Sequence, residues 1–318
     1  MRILLTTTSF QDTPGPHHAL LESKGYEIVR ERGPLPESKM LELAGDFDAF
    51  LCGDDDMTRA VMEKSLPRLK VIAKYGIGLD RIDLDSASEL QIPVTYTPGV
   101  NETSVAEHTF GLMLACCRNI VTEANYVANG QWKRITGTEL FRKTIGLIGF
   151  GRIAKEVAIR AKAFGMKVVV YNRSWKDEYT SEFGAERVTD FEAFLKQVEV
   201  ISIHVPATPE TKGLINEDTL KLMKPGIFIV NTSRGEVVEK HAIRAALEAG
   251  SLRAYASDVL DQEPPPADHI LLDAPNCVLT PHIGSRTNES VARQASKSIR
   301  NLFAVLEDRE PEAQANTL

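Results

Sequence analysis

The sequence predicts an α/β protein built from doubly wound parallel sheets. Three observations carry that prediction. Short apolar runs alternate with stretches of helical periodicity over most of the chain, the pattern of successive β-α-β units. The middle of the chain holds one such unit complete, with a glycine-rich first turn. The length, 318 residues, is that of two domains.

The central unit is the most informative stretch. Residues 144–148 read as a buried strand. Gly149-Phe150-Gly151-Arg152-Ile153-Ala154 follows and opens a helix whose apolar residues Ile153, Val157, Ala161 and Phe164 share one face. Gly165 stops the helix, and residues 167–171 form a second strand. In this context the glycine pattern reads as a dinucleotide site. Gly149 permits the tight turn, Gly151 lets a pyrophosphate approach the main chain, and Ala154 lets helix and strand pack closely. The unpaired N–H groups of the first helical turn face the phosphates. At the tip of the second strand, an NAD site carries a carboxylate for the ribose hydroxyls. Here the tip reads Asn172-Arg173-Ser174. The missing carboxylate and the fixed cation of Arg173 favour a 2′-phosphate. NADP(H) is the expected cofactor. NAD(H) is the alternative, with Asn172 bonding the 2′-hydroxyl and Arg173 a surface charge.

Before this unit, strands are expected at residues 2–6, 26–29, 48–52 and 71–74, with helices near 18–23, 37–43 and 58–64. Asp54-Asp55-Asp56 reads as solvated loop acids. Lys74-Tyr75-Gly76-Ile77-Gly78 reads as a glycine turn whose N–H groups suit a carboxylate, with Lys74 adding charge. A linker with Pro93 and Pro98 leads to a long buried helix ending near Arg118. Trp132 lies in a polar arm, as a dimer contact or a local hydrophobic plug. Beyond the central unit, strands are expected at 200–205, 226–231, 253–259 and 277–280, and a helix at 238–249. A final helix, 288–306, returns to the first domain. The domains are therefore expected at 1–99 with 286–318, and at 100–285.

Composition narrows the functional classes. Apolar residues make up 43% and charged residues 25%, as in ordinary globular proteins. A net charge of −7 argues against a general nucleic-acid or anionic-membrane binder. The start lacks the pattern of a secretory signal, and no 18-residue apolar run occurs, so a cytoplasmic protein is expected. Cys52, Cys116, Cys117 and Cys277 each sit in an apolar stretch and read as buried thiols. No metal role is assigned, His17-His18 included.

Arg234, Asp258, Glu263 and His282 each fall at or just after the C-terminal end of an expected strand. Parallel strands bring those ends to one edge, the edge that holds the dinucleotide. Hydride transfer to a 2-oxo acid needs such a set. A cation binds the carboxylate and polarises the carbonyl. An acid protonates the oxygen as hydride reaches carbon. His282 is the candidate acid. Glu263 is the candidate carboxylate that fixes its tautomer and stabilises its charged form.

These residues resemble the D-isomer-specific 2-hydroxyacid dehydrogenases. The resemblance spans essentially the whole chain, through Lys74–Gly78, Gly149–Ala154, His204-Val205-Pro206-Ala207-Thr208, Asn231-Thr232-Ser233-Arg234-Gly235, Asp258–Pro264 and Pro281-His282-Ile283-Gly284. It implies a catalytic triad of Arg234, Glu263 and His282. It implies that Thr103 and Arg152 help hold cofactor phosphates, that Asp258 holds the nicotinamide carboxamide, and that Ile153, Val205, Pro206 and Thr232 line the cofactor. It implies that Gly76 and Ile77 offer backbone donors to the substrate carboxylate, with Lys74 and Tyr75 beside them. It further implies a Rossmann-type domain and a flavodoxin-like substrate domain with the site between them, and a homodimer built on the cofactor domain.

The acidic loop at 53–56 falls where phosphoglycerate-type members often place a basic residue, with Lys74 as partial compensation. A small unphosphorylated 2-oxo acid such as glyoxylate or hydroxypyruvate is therefore expected, with D-3-phosphoglycerate dehydrogenase as the alternative. A catalytically silent NAD(H)-sensing corepressor and a hydrolase that uses NAD as a transient oxidant are the readings from other classes.

Overall fold

The computed structural model describes residues 1–318. The chain divides into two compact units, Met1–Asn101 with Arg286–Leu318, and Glu102–Ser285. The first boundary falls between Asn101 and Glu102 rather than at 99/100.

The first unit holds β1 (Arg2–Leu5), β2 (Glu27–Arg30), β3 (Ala49–Cys52), β4 (Val71–Lys74) and β5 (Val94–Thr95). All are parallel, in the order β2-β1-β3-β4-β5. This is the flavodoxin-like order, with its switch point between β1 and β3. Every residue of β3 and β4 is buried, as expected of a strand covered on both faces. β5 falls in the stretch expected as linker. Its two residues lie between prolines and carry no periodic signal, and only pairing with Ile72 and Ala73 makes them a strand. The helix Asn288–Leu306 belongs to this unit. Thr287 caps it, accepting from the Ser290 N–H at 3.1 Å. Its residues Ala295, Ile299, Leu302 and Phe303 join Ile3, Leu5, Leu51 and Val71 in one apolar cluster.

The second unit holds β6 (Thr144–Ile148), β7 (Lys167–Tyr171), β8 (Ala185–Arg187), β9 (Val200–Ile203), β10 (Ile227–Asn231), β11 (Leu252–Ser257) and β12 (Cys277–Leu279). All are parallel, in the order β12-β11-β10-β9-β6-β7-β8. The order reverses at the pair β6 and β9, the switch point of a Rossmann-type sheet. The helix Arg152–Ala163 buries Val157 and Ala161. Phe164 departs from the expected buried face: it lies just past the helix, is exposed, and only leans on Phe110, ring centroids 5.1 Å apart. The long helix Glu102–Cys117 contributes Ala106, Phe110, Met113 and Cys117 to the same core as Ile145, Leu147 and Val170. The helices Ile120–Ala128, Glu178–Phe183 and Phe191–Gln197 and strand β8 are not among the elements expected from sequence. Each is short or faces solvent along most of its length, so its periodicity is weak.

Candidate active site

The glycine turn follows β6. Gly149 has φ +89°, and a Cβ there would stand 2.6 Å from the His204 carbonyl oxygen. Both facts demand glycine. Its N–H donates to the Tyr171 carbonyl at 2.9 Å, locking the turn to β7. Gly151 is the N-cap of the helix Arg152–Ala163, and no side chain caps that end. A Cβ on Gly151 would meet no protein atom within 4 Å. A bare helix N-terminus with an open approach fits a pyrophosphate. Ala154 is fully buried against the core.

The other residues expected to line the cofactor differ in exposure. Ile153, Val205 and Thr232 are half-buried, while Thr103 and Pro206 are exposed. Arg152 is largely exposed, its Nε 3.8 Å from the Glu102 carboxylate. At the tip of β7 the Asn172 amide donates to the Ser174 carbonyl, so Asn172 shapes the loop that displays Arg173. Arg187, at the end of β8, donates to the Arg173 carbonyl at 3.0 Å. The sequence alone does not single out Arg187, because its relation to the tip depends on pairing of β7 with β8. His204 donates to or accepts from Ser202 Oγ at 2.8 Å, and burial pushes its pKa down to about 3.

The catalytic candidates follow the C-terminal ends of β10, β11 and β12, which are neighbours in the sheet. His282 Nδ1 lies 2.7 Å from Glu263 Oε2. Glu263 Oε1 accepts from the Leu260 N–H at 2.8 Å, which orients the carboxylate. This contact orients the imidazole through Nδ1 and leaves Nε2 as its other ring nitrogen. Arg234 follows β10 through a turn built by Asn231. The buried Asn231 side chain accepts from the Ser233 N–H and donates to the Arg234 carbonyl. Gly235 packs hard against the loop carrying Glu263: a Cβ on it would stand 2.1 Å from the Leu260 carbonyl carbon.

Asp258 is 3% exposed. Oδ1 accepts from Thr280 Oγ1 at 2.6 Å and the Ile283 N–H at 2.9 Å, with His108 Nε2 at 3.2 Å. Oδ2 accepts from the Gly284 N–H at 2.7 Å. Burial pushes this carboxyl up, but these hydrogen bonds outweigh it and hold the group below its ordinary value. The carboxylate expected at the nicotinamide is thus also the clamp of the His282 loop.

The residues expected on the substrate side are largely engaged within the first unit. Lys74 is 2% exposed, and its ammonium bonds the Gly53 carbonyl at 2.5 Å and Asp54 Oδ1 at 2.6 Å. A buried ammonium needs such partners, so its charge is neutralised within the fold. Tyr75 is buried against Phe10, with its phenol pushed up to about 12. The Gly76 N–H donates to Thr97 Oγ1 at 3.0 Å, while Ile77 is exposed. Asp55 is not a solvated loop acid. It is fully buried and accepts from Thr6 Oγ1, the Gly53 N–H and the Leu35 N–H. Asp56 pairs with Arg81 at 3.1 Å. The four cysteines are free thiols, three of them buried.

A turn that fits a pyrophosphate, together with an imidazole held by a carboxylate at strand ends of the same sheet, suits a hydride-transferring dinucleotide working with a proton-transferring side chain. The class is that of dinucleotide-dependent oxidoreductases. Comparison with known proteins makes it specific. Residues 110–284 match the family model described as D-isomer specific 2-hydroxyacid dehydrogenase, NAD binding domain. A glyoxylate reductase of Thermofilum pendens is 39% identical over 311 residues, 95% of this chain and 92% of that one. A D-3-phosphoglycerate dehydrogenase of Methanocaldococcus jannaschii is 40% identical over 314 residues, 96% of this chain but 58% of that one. The crystal structure of the protein TT0316 from Thermus thermophilus superposes with a TM-score of 0.90 at 39% identity, covering 99% of this chain and 100% of that one. The chain belongs to the D-isomer specific 2-hydroxyacid dehydrogenase family and uses NAD(H) or NADP(H). No helix is long and apolar enough to cross a membrane.

Proposed function

We propose that this enzyme is an NADP(H)-preferring reductase of small unphosphorylated 2-oxo acids, of the glyoxylate and hydroxypyruvate type. The observation that carries the mechanism is the 2.7 Å contact of His282 Nδ1 with Glu263 Oε2. A reduced nicotinamide dinucleotide held at the Gly149–Ala154 turn would supply the hydride. His282 Nε2 gives its proton to the carbonyl oxygen, and the Glu263 carboxylate stabilises the imidazolium beforehand. Arg234 binds the substrate carboxylate and polarises the carbonyl. In the first unit, the Gly76 N–H is engaged by Thr97 Oγ1 and Ile77 is exposed.

The cofactor preference rests on the absence of a carboxylate at 172–174 and on the exposed Arg173. The preference for an unphosphorylated substrate rests on Lys74, whose charge is already matched by Asp54. Relatives named glyoxylate reductase and a Thermotoga maritima hydroxypyruvate reductase, 38% identical, agree with this reading. The relative named D-3-phosphoglycerate dehydrogenase supports a second reading, in which the substrate is phosphorylated.

A homodimer fits the second unit. Its helix Ile120–Ala128 buries no side chain, and Trp132 is 77% exposed, which rules out a plug within the chain. Phe141 and Phe164 are exposed on the same unit. Exposed apolar side chains of this size suit burial against a second copy of the chain.

Oxidation of NADPH and NADH, followed by absorbance against glyoxylate, hydroxypyruvate, phosphohydroxypyruvate and pyruvate, tests the proposal. Faster use of NADPH with glyoxylate or hydroxypyruvate is the expected result. Preference for NADH would reduce Arg173 to a surface charge, and preference for phosphohydroxypyruvate would establish the second reading.

A further inference from the structure

We infer that His108 is a positioning residue for the catalytic loop, acting through Asp258. This rests on the reading of His282 as acid. His282 has a left-handed backbone, φ +52°, which a non-glycine residue holds only when its surroundings enforce it. The enforcement comes from Asp258. Its main-chain carbonyl accepts the His282 N–H at 2.9 Å, and its carboxylate takes the next two N–H groups, of Ile283 and Gly284. Thr280, two residues before His282, gives its hydroxyl proton to the same carboxylate.

His108 completes the set from a different element. It lies on the helix Glu102–Cys117, and its Nε2 is 2.9 Å from Thr280 Oγ1 and 3.2 Å from Asp258 Oδ1. The Thr280 proton points at Asp258, so both atoms facing Nε2 act as acceptors. The proton on the His108 ring is therefore at Nε2, donated to the pair. Gly284 permits this approach: a Cβ there would stand 3.0 Å from Asp258 Oδ2 and 3.6 Å from the His108 ring. The neighbouring Thr109 hydroxyl bonds Thr232 at 2.9 Å, in the turn that precedes Arg234. Two adjacent residues of one helix thus hold the loops of both His282 and Arg234. His108 does not itself reach the reacting atoms. It fixes where His282 stands.

The test compares His108→Leu with His108→Gln, whose amide nitrogen keeps a donor at the Nε2 position. The expected result for His108→Leu is a kcat lowered roughly 10- to 100-fold, with the NADPH dissociation constant and Tm little changed, because misplaced catalytic groups cost rate before they cost binding. His108→Gln should recover kcat to within about threefold of the wild type, if one donor is what the loop needs. A His108→Leu enzyme with wild-type kcat would overturn the inference. So would a Gln variant as slow as the Leu variant, or equal losses of kcat and NADPH affinity. Should His108→Leu fail to fold, Thr280→Val removes the hydroxyl between them and must lower kcat in the same way. His282→Ala separates the two readings: if it retains activity, the acid assignment itself fails, whatever His108 does.

Discussion

His282 reaches Glu263 from a backbone that costs about 1–3 kcal/mol to hold, and residues around it offset that cost with hydrogen bonds. Replacing it with Ala removes the proposed proton donor and leaves the glycine turn untouched. The expected outcome is a kcat reduced roughly 100- to 10,000-fold with NADPH binding within a few-fold of wild type, read by steady-state kinetics and fluorescence titration. At Arg173 the expected effect is on the cofactor alone. Arg173→Asp should raise KM for NADPH by roughly 10-fold or more while leaving NADH within a few-fold, because a charge-assisted bond to phosphate is worth about 1.5–3 kcal/mol. His204 makes a pH prediction. Burial lowers its pKa from 6.5 to about 3. The unfolded chain therefore takes up a proton as pH falls below 6.5, and the folded chain does so only near 3. Its contribution to stability is present above the unfolded value and is lost progressively on acidification, by up to about 1.4 kcal/mol per pH unit. Urea midpoints of wild type and His204→Gln, compared from about pH 7 down to about pH 5, should converge as pH falls.

At the scale of elements, the turn after β10 and the loop after β11 are one mechanical piece. Gly235 has no room for a methyl group, since the atoms it would meet belong to the Leu260–Asp261 backbone and cannot rotate away. Gly235→Ala should cost about 1–3 kcal/mol of stability as overpacking. It should also separate Arg234 from Glu263 and lower kcat by roughly 100-fold, the effect of a shift near 1 Å. A urea melt with steady-state kinetics checks both. The loop is anchored from its far side as well. Asp261 bonds Lys240 at 2.7 Å and the buried His269 at 2.8 Å. None of this was legible in the sequence. Lys240, Asp261 and His269 form no motif, and their relation is created by packing of the helix Lys240–Glu248 beside β11. The strands β6 and β7 were legible to the residue and their helix up to its last position, because strand, turn and helix lie within 28 consecutive positions, 144 to 171.

At the scale of the molecule, the exposed Trp132, Phe141 and Phe164 of the second unit predict self-association. Sedimentation or light scattering should show a dimer, and Trp132→Glu should weaken it, with a monomeric wild type as the contrary result. The fold class, the turn for the dinucleotide and the family were readable from sequence because they depend on local order: glycines at fixed spacing, apolar runs and charged residues at strand ends. That order also brought Arg234, Glu263 and His282 into view as a set. Tertiary structure decided what distance along the chain conceals. It paired Lys74 with Asp54, 20 residues away, and buried Asp55 as the acceptor of three donors. It brought His108 to Asp258 and Thr280, more than a hundred positions further on. A side chain's charge and type are written in the sequence. Whether that charge is neutralised inside the fold or kept for a ligand depends on which partners the sheets and helices bring within about 3 Å, the reach of a hydrogen bond.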